Sequence, residues 1–260
     1  MHRAQKMFEE MIAKGLVPDV YTYNALILGS FGVGDTYKAF QLYEEFAGSG
    51  LQPNVCMYTI LIDGCCKQGS FSRALELFKE MIACRVMPDV ATYNCLIHGL
   101  SARGEWKLAI GAFREMVSRR ISPNTVTFNA FIDSLCKHRL TSEAEKLVAL
   151  MEECGKKPDV ITFTSLLHGH VLEGRLDEAT VLLDTMVQKG IEPNQRSYST
   201  LINGYCKSGK INDALQLVGK MRNQGLKLND VIFDIFRNTL SNCENPDEVK
   251  QIISDLRDER

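Results

Sequence analysis

The chain has 260 residues, of which 45% are hydrophobic and 24% charged, with 30 lysines and arginines against 32 aspartates and glutamates. This hydrophobic content argues against a disordered chain, and a formal net charge of −2 does not by itself point to a nucleic-acid partner. No apolar run approaches the length needed to cross a bilayer, so we expect no membrane span.

A fixed step of 35 residues runs through the whole sequence. A constant period between about 20 and 50 residues is typical of repeat proteins, in which each unit packs only on its neighbours. We therefore interpret the chain as one structural unit written about seven times. The residues that keep the step are Pro18, Pro53, Pro88, Pro123, Pro158 and Pro193, together with Ala4, Ala39, Ala74, Ala109, Ala144, Ala179 and Ala214.

Residues 1–19 form only half a unit. Their apolar side chains Met7, Phe8, Met11 and Ile12 have the spacing of one helix face, and a linker with Gly15 follows. This helix has no partner helix before it, and no signal or transit peptide is visible ahead of it. We therefore expect the chain to be the C-terminal portion of a longer array, because the ends of repeat arrays normally carry a polar cap.

Six full units follow, and each contains two helical patterns. In the second unit, Tyr58, Leu61, Ile62 and Cys65 recur at helical spacing, and Gly69 then interrupts the pattern. A second apolar stripe and a linker with proline and Asp or Asn complete the unit. Each unit is thus predicted to be helix A, a turn, helix B and a linker. The units are 20–54, 55–89, 90–124, 125–159, 160–194 and 195–229.

The invariant alanine early in helix B predicts a close approach of helices at that point, because a larger side chain would overpack the stack. Residues 230–260 form a degenerate unit. In it, Asn245, Pro246 and Glu248 predict the start of a helix that caps the C-terminal end. Helical hairpins of constant length predict an all-α fold, namely an α-α superhelix (solenoid) of 35-residue hairpins with a concave inner face.

Cysteine and histidine give no sign of a metal or catalytic site. There are nine cysteines but no Cys-x-x-Cys pair, and Cys66, Cys136 and Cys206 recur at one repeat position. We interpret these three as small apolar core residues. His98 and His168 also share a repeat position, but no further ligands stand at metal-site spacing. We expect no metal, no cofactor and no enzymatic activity.

Several segments resemble the pentatricopeptide repeat family. They are Ala-Leu-Glu-Leu-Phe-Lys-Glu-Met at 74–81, Val-x-Thr-Tyr-Asn-x-Leu-Ile at 90–97, Gly-Ile-Glu-Pro-Asn at 190–194 and Gly-Tyr-Cys-Lys-Ser-Gly at 204–209. The resemblance covers nearly the whole chain, and the constant unit length is similar to the P-type subclass. Tetratricopeptide repeats have a period of about 34 residues and a recurring tryptophan, whereas Trp106 is the only tryptophan here.

The resemblance implies binding of single-stranded RNA, one base per repeat. It also implies that the fifth and last residues of a repeat choose the base. All of these residues are Asn, Asp, Thr or Ser. They are Asn24 with Asn54, Thr59 with Asp89, Asn94 with Asn124, Asn129 with Asp159, Thr164 with Asn194, and Ser199 with Asn229. An alternative is that the fifth residues are helix N-caps and the last residues belong to turns.

The chemistry of these pairs suits a base code. An ionised Asp only accepts hydrogen bonds and so suits guanine and uracil, whereas Asn also donates and suits adenine and cytosine. A short Thr or Ser leaves room for a purine, while the longer Asn favours a pyrimidine. The resemblance then predicts the target 5′-(C/U)G(C/U)UAA-3′. We assign no base to Asp19 or to Asp234, which lie outside the full units.

Two further sets carry roles implied by the resemblance. The second residue of a repeat inserts between bases, and these residues are Tyr21, Cys56, Val126 and Ile161, with Ala91 and Arg196 in the remaining units. Lys67, Lys137 and Lys207 resemble the phosphate-contacting lysine of the family. The alternative for each lysine is an ordinary solvated surface residue.

The resemblance implies a protein of mitochondria or chloroplasts that serves RNA processing, stability or translation, with no membrane and no small-molecule substrate as partner. The rival hypothesis is a helical-repeat scaffold for protein partners. Large or apolar residues at the fifth and last positions would favour it, but those residues are small and polar. No His-x-Glu and Cys-x-x-Cys pair of a deaminase occurs in the sequence.

Overall fold

A computed structural model of the chain describes residues 2–240, and this part contains fourteen α-helices and no strand. In chain order the helices are α1 (His2–Ala13), α2 (Val20–Gly32), α3 (Thr36–Gly48), α4 (Val55–Lys67), α5 (Phe71–Ala83), α6 (Val90–Ala102), α7 (Trp106–Ser118), α8 (Thr125–Lys137), α9 (Thr141–Glu153), α10 (Val160–Leu172), α11 (Leu176–Gln188), α12 (Gln195–Lys207), α13 (Ile211–Asn223) and α14 (Asp230–Leu240).

The predicted all-α repeat fold is confirmed. Helices α2 to α13 each have 13 residues, and helix A begins at the first residue of every full unit. None of the helices in the described part of the chain is long and apolar enough to span a membrane. The capping helix predicted around Asn245 lies outside the described residues.

The chain divides into two compact units, Met1–Ala130 and Phe131–Arg260, with the division inside α8. In the first unit, α2 packs on α3 and α4, α4 on α5 and α6, and α6 on α7. In the second unit, α10 packs on α9, α11 and α12, while α12 also packs on α11, α13 and α14. Within each unit, helix A of one repeat therefore contacts helix A of the next.

Successive A helices are tightly packed at a glycine in two places of the first compact unit. A Cβ atom added to Gly99 would lie 2.4 Å from Cβ of Cys66, and one added to Gly64 would lie 2.5 Å from the ring of Phe31. Real Cβ atoms essentially never come so close, so these helices leave no room for a side chain. The predicted close approach in helix B agrees with the complete burial of Ala74 and its five equivalents Ala39, Ala109, Ala144, Ala179 and Ala214.

The turn between helices A and B requires a left-handed backbone. Gly69 has φ = 76° in this turn, and Arg139 takes the equivalent place in the fourth unit with φ = 60°. Left-handed backbone is unfavourable for residues with a Cβ atom. Arg139 therefore occupies a position that the other full units give to glycine.

The cysteines that recur in the sequence are buried, as the apolar-core interpretation requires. Cys66, Cys136 and Cys206 are at most 6% exposed. Burial raises the pKa of Cys66 and of Cys136 to about 12. Both thiols therefore stay protonated at neutral pH, which keeps them poor nucleophiles.

Candidate nucleic-acid interface

The last residue of each full unit caps the A helix of the next unit. Its side-chain Oδ1 accepts a hydrogen bond from the backbone N–H three residues later. This N–H group lies in the first turn of the helix and has no acceptor within the helix itself. The N–H···Oδ1 distances are 2.9 Å for Met57 to Asn54, 2.9 Å for Thr92 to Asp89, 3.0 Å for Thr127 to Asn124, 3.0 Å for Thr162 to Asp159, 3.0 Å for Ser197 to Asn194 and 3.1 Å for Ile232 to Asn229.

This cap fixes which atom of the last residue can meet a ligand. Because Oδ1 is engaged by the helix, the outer atom is Nδ2 in an asparagine and Oδ2 in an aspartate. Nδ2 donates hydrogen bonds, whereas an ionised Oδ2 only accepts them. Asp89 and Asn194 are both exposed to solvent. The second repeat therefore presents a hydrogen-bond acceptor to solvent at this position, and the fifth repeat presents a donor.

The fifth residues lie inside helix A and cap nothing. The alternative that they are N-caps is therefore wrong, since the cap is the residue just before the helix. Asn24, Asn129 and Thr164 are buried, at 6%, 7% and 7% exposure. Thr59, Asn94 and Ser199 are partly exposed.

A hydroxyl from the next repeat joins a fifth residue to its last residue. In the third unit, Thr127 Oγ1 donates to Asn94 Oδ1 at 2.6 Å and lies 3.1 Å from Asn124 Oδ1. Asn94 Nδ2 in turn donates to Asn124 Oδ1 at 3.3 Å. The fifth and last residues of this unit are thus held together as one hydrogen-bonded group.

The same bridge occurs in two other units. Thr92 Oγ1 lies 2.8 Å from Thr59 Oγ1 and 3.0 Å from Asp89 Oδ1, and Ser197 Oγ lies 2.8 Å from Thr164 Oγ1 and 3.2 Å from Asn194 Oδ1. Sequence reasoning missed these bridging residues. The available signal was a hydroxyl residue at the third position of most repeats, namely Thr22, Thr92, Thr127, Thr162 and Ser197.

In four of the six full units the second residue exposes an apolar side chain larger than alanine, whereas Ala91 is small and Arg196 is charged. Tyr21, Val126 and Ile161 are 73%, 59% and 58% exposed, and Cys56 is also exposed. Val231 takes the same position in the degenerate unit at 55% exposure and was not singled out from the sequence. An exposed apolar side chain therefore recurs at the second position of several repeats.

Two of the three candidate phosphate-binding lysines are paired with an acid one helical turn earlier. Lys67 Nζ lies 2.6 Å from Asp63 Oδ2, and Lys137 Nζ lies 2.6 Å from Asp133 Oδ2. The hydrogen bond with Asp63 raises the pKa of Lys67, so this lysine stays charged. Lys207 is exposed and has the neutral Asn203 at the corresponding place.

His98, His168 and His170 lie in different surroundings. His98 is exposed, while burial lowers the pKa of His168 and so favours its neutral form. His170 is buried at 4% exposure with its Nε2 atom 3.1 Å from Glu145 Oε1. No cluster of three His, Cys, Asp or Glu side chains that could hold a metal ion occurs among the described residues.

Comparison with protein families decides the family. Six overlapping stretches match the PPR repeat family, at residues 18–67, 53–101, 88–137, 123–172, 158–207 and 197–242. The chain belongs to the pentatricopeptide repeat (PPR) family. Successive matches begin 35 residues apart for the first five stretches, which is the period of the prolines. No curated protein sequence matches the chain.

Solved PPR structures have a similar fold. The maize PPR protein PPR10, in complex with an 18-nt psaJ RNA element, aligns with a TM-score of 0.59 at 22% identity over 96% of this chain and 42% of that chain. The PPR domain of Arabidopsis thaliana protein-only RNase P 1, in complex with tRNA, gives a TM-score of 0.52 at 21% identity over 70% and 95%. The Arabidopsis RNase P 2 protein gives 0.55 at 15% identity over 73% and 43%. The chain thus spans less than half the length of PPR10.

Proposed function

We propose that this PPR chain binds single-stranded RNA, with one base against each full repeat. The observation that carries the proposal is the cap formed by the last residue. Each last residue caps helix A of the next repeat. In the second, third and fifth units it is also joined to the fifth residue of its own repeat, on the preceding helix A, through a hydroxyl group. An exposed second residue lies in the first turn of each helix A. A flat base needs such a combination of a polar edge contact and an apolar surface for its ring.

The outer atoms support a base choice in each repeat. Asp89 offers an acceptor next to the short Thr59, which suits guanine, whereas Asn194 offers a donor next to Thr164, which suits adenine. Asn124 offers a donor next to the longer Asn94, which suits a pyrimidine with cytosine preferred. Applied to all six full repeats, these pairings propose the target 5′-(C/U)G(C/U)UAA-3′.

The exposed second residues supply the surface for the base rings. Tyr21 and Val126 in the first compact unit, and Ile161 in the second, would each contact a base face. Base stacking on an aromatic side chain contributes about 1–3 kcal/mol, whatever the base. These residues therefore add affinity without adding sequence preference.

Lys67, Lys137 and Lys207 are proposed to contact the RNA backbone. Their side chains lie at the C-terminal end of helix A, and the acids beside Lys67 and Lys137 lower the net charge there. The first fourteen residues of the six full units contain five basic and three acidic side chains in total. We therefore propose that binding depends on salt less steeply than that of arginine-rich proteins.

The biological setting follows from the family alone. PPR proteins typically act in mitochondria or chloroplasts, so we propose a role in organellar RNA processing, stability or translation. The constant repeat length supports the P-type subclass. The PPR10 and RNase P 1 structures contain RNA, which supports an RNA ligand for this chain as well.

Direct binding tests the proposal. The purified chain is titrated with a fluorescent RNA that contains CGCUAA and with a scrambled RNA of the same composition, at fixed salt. Tighter binding of the matched RNA by at least about tenfold, or about 1.4 kcal/mol, is expected. Equal binding of both RNAs, or no binding, contradicts the proposal and favours the protein-scaffold alternative.

A further inference from the structure

The first and third full repeats carry the same base-selecting pair but differ in the residue that bridges it. Both pairs are Asn with Asn, at Asn24/Asn54 and Asn94/Asn124. The bridging position is Thr127 after the third repeat and Met57 after the first. The chain therefore contains its own comparison of a bridged and an unbridged pair.

Hydrogen-bond directions fix the orientation of the bridged amide. The backbone N–H of Asn124 donates to Thr127 Oγ1 at 3.1 Å, so this oxygen already acts as an acceptor. Its own hydrogen then goes to Asn94 Oδ1, the nearest acceptor at 2.6 Å. The amide nitrogen of Asn94 consequently faces Asn124 Oδ1. A flip of the Asn94 amide would turn its oxygen toward Asn124 Oδ1, so that two acceptors would face each other and the hydrogen bond between the two amides would be lost.

The unbridged amide lacks these contacts. Asn24 is 6% exposed, and neither its Oδ1 nor its Nδ2 atom has a hydrogen-bond partner in the described part of the chain. Met57 is completely buried and has no O–H group to offer. A buried polar group without a partner destabilises the protein until a partner arrives.

We propose that the third residue of the following repeat is a further specificity-determining residue for a base-selecting pair whose fifth residue is an asparagine. A Thr or Ser hydroxyl there fixes which atom of the fifth residue is turned toward the base. Met57 leaves the Asn24 amide free to present either its oxygen or its nitrogen. The inference rests on the proposed RNA binding and adds a positioning residue to it.

The consequence is a difference between two pairs of identical composition. Cytosine offers an acceptor at N3, whereas uracil offers an N–H at the same atom. A fixed amide matches only one of these edges, while an amide that can turn over matches both. The third base of the target is thus predicted to be recognised as cytosine, and the first base to be accepted as cytosine or uracil alike.

Exchange of the bridging residues tests this inference. Met57→Thr and Thr127→Val are each titrated with four RNAs that carry C or U at the first or the third base. Met57→Thr is expected to raise the C-to-U preference at the first base about five- to tenfold. Thr127→Val is expected to lower the preference at the third base by a similar factor. Met57→Leu is the matched control and leaves the first-base preference unchanged.

A second measurement does not need RNA. Thr and Val have nearly the same shape, so a Tm that is higher for Met57→Thr than for Met57→Val, and no longer higher when Asn24 is also replaced by Leu, reports a hydroxyl that pairs with the Asn24 amide. Equal Tm values contradict the inference. If matched RNA is bound selectively but both exchanges leave the base preferences unchanged, the bridge has no role in specificity, although the proposed function stands. If no RNA is bound selectively, the proposed function fails and this inference fails with it.

Discussion

The carboxylate of Glu173 caps the first turn of α9 at Thr141, a residue from the preceding repeat. Glu173 Oε1 accepts hydrogen bonds from the Thr141 backbone N–H at 3.0 Å and from Thr141 Oγ1 at 2.5 Å. The residue in the cap position itself, Leu140, has no side chain that can accept a hydrogen bond from this turn. One repeat therefore supplies the helix cap that its neighbour lacks.

This contact predicts a pH-dependent stability. Burial of Glu173 favours the neutral acid, but hydrogen bonds from Thr141 and Arg175 outweigh it and hold the pKa of the carboxyl below its ordinary 4.5. A lowered pKa stabilises the fold above the unfolded-state value, and this stabilisation disappears as pH falls through the folded-state pKa. Glu173→Gln is expected to lower the free energy of unfolding by about 1 kcal/mol at pH 7, because the carboxylate is partly solvated.

Urea unfolding at pH 7 and below pH 4 measures the effect. The difference between the wild-type chain and Glu173→Gln is expected to shrink at the lower pH, because the wild-type carboxyl becomes neutral as well. Glu192→Gln, in an exposed linker, is the control and leaves stability unchanged at both pH values. A difference that is the same at both pH values shows that the charge of Glu173 has no part in the cap.

The glycine contact between A helices predicts opposite effects of one substitution at two sites. Gly99→Ala forces a Cβ atom against Cys66 and is expected to cost roughly 1–3 kcal/mol of stability. Gly111 lies on the exposed side of α7 with no atom within 4 Å of an added Cβ. Gly111→Ala is therefore expected to stabilise the chain by about 0.5–1 kcal/mol, as alanine is the better helix former. Chemical denaturation measures the free energy of unfolding of both variants. A Gly99→Ala variant that is more stable than the wild-type chain contradicts the proposed close packing at Gly99.

Base choice in the second repeat predicts a change of target. Thr59→Asn makes the Thr59/Asp89 pair resemble Asn129/Asp159, so preference at the second base is expected to move from guanine to uracil by roughly 1–3 kcal/mol. Binding to four RNAs that differ only at this base measures the change. Thr59→Ser keeps a short hydroxyl residue and retains guanine. An unchanged ranking of the four bases in Thr59→Asn refutes the assignment.

The lysines predict a decrease in affinity that is independent of sequence. Replacement of Lys67, Lys137 and Lys207 by Ala is expected to weaken matched and scrambled RNA equally, and to reduce the salt slope by roughly 0.7 for each phosphate that is no longer neutralised. Asn203→Asp gives Lys207 the acidic neighbour that Lys67 and Lys137 have, and is expected to weaken binding in the same way. An unchanged salt slope in the triple variant identifies these lysines as ordinary solvated residues.

The fold could be predicted from the sequence because every repeat carries the same pattern of residues and forms the same pair of helices. Pro53 and Ala74 recur at one step, and the A helices begin where this step predicts, at Val20, Val55 and Val90. Arg139 shows the limit of the pattern. Its left-handed backbone was recognisable only by analogy with Gly69, because arginine itself gives no such signal.

The site was less predictable because its hydrogen bonds join residues that are distant in sequence. Thr127 meets Asn94, and Glu173 meets Thr141, across a helix pair and two turns. Spacing along one helix does not reveal such pairs. The Asp63–Lys67 pair was accessible, since i,i+4 spacing on a helix is visible in the sequence. The base-selecting and phosphate-contacting roles stay predictions until binding is measured.

The caps at Asp89 and Asn124 have a consequence for how such a chain can change. Asn and Asp differ by one outer group, an NH₂ or an oxygen, while the inner oxygen that holds the next helix is common to both. A substitution of one for the other changes the exposed group between a hydrogen-bond donor and an acceptor and leaves the fold of the repeat intact. Most other residues would release the helix end at a cost of about 0.5–2 kcal/mol. The stability of the next helix therefore limits which residue types can occupy this position, independently of any ligand.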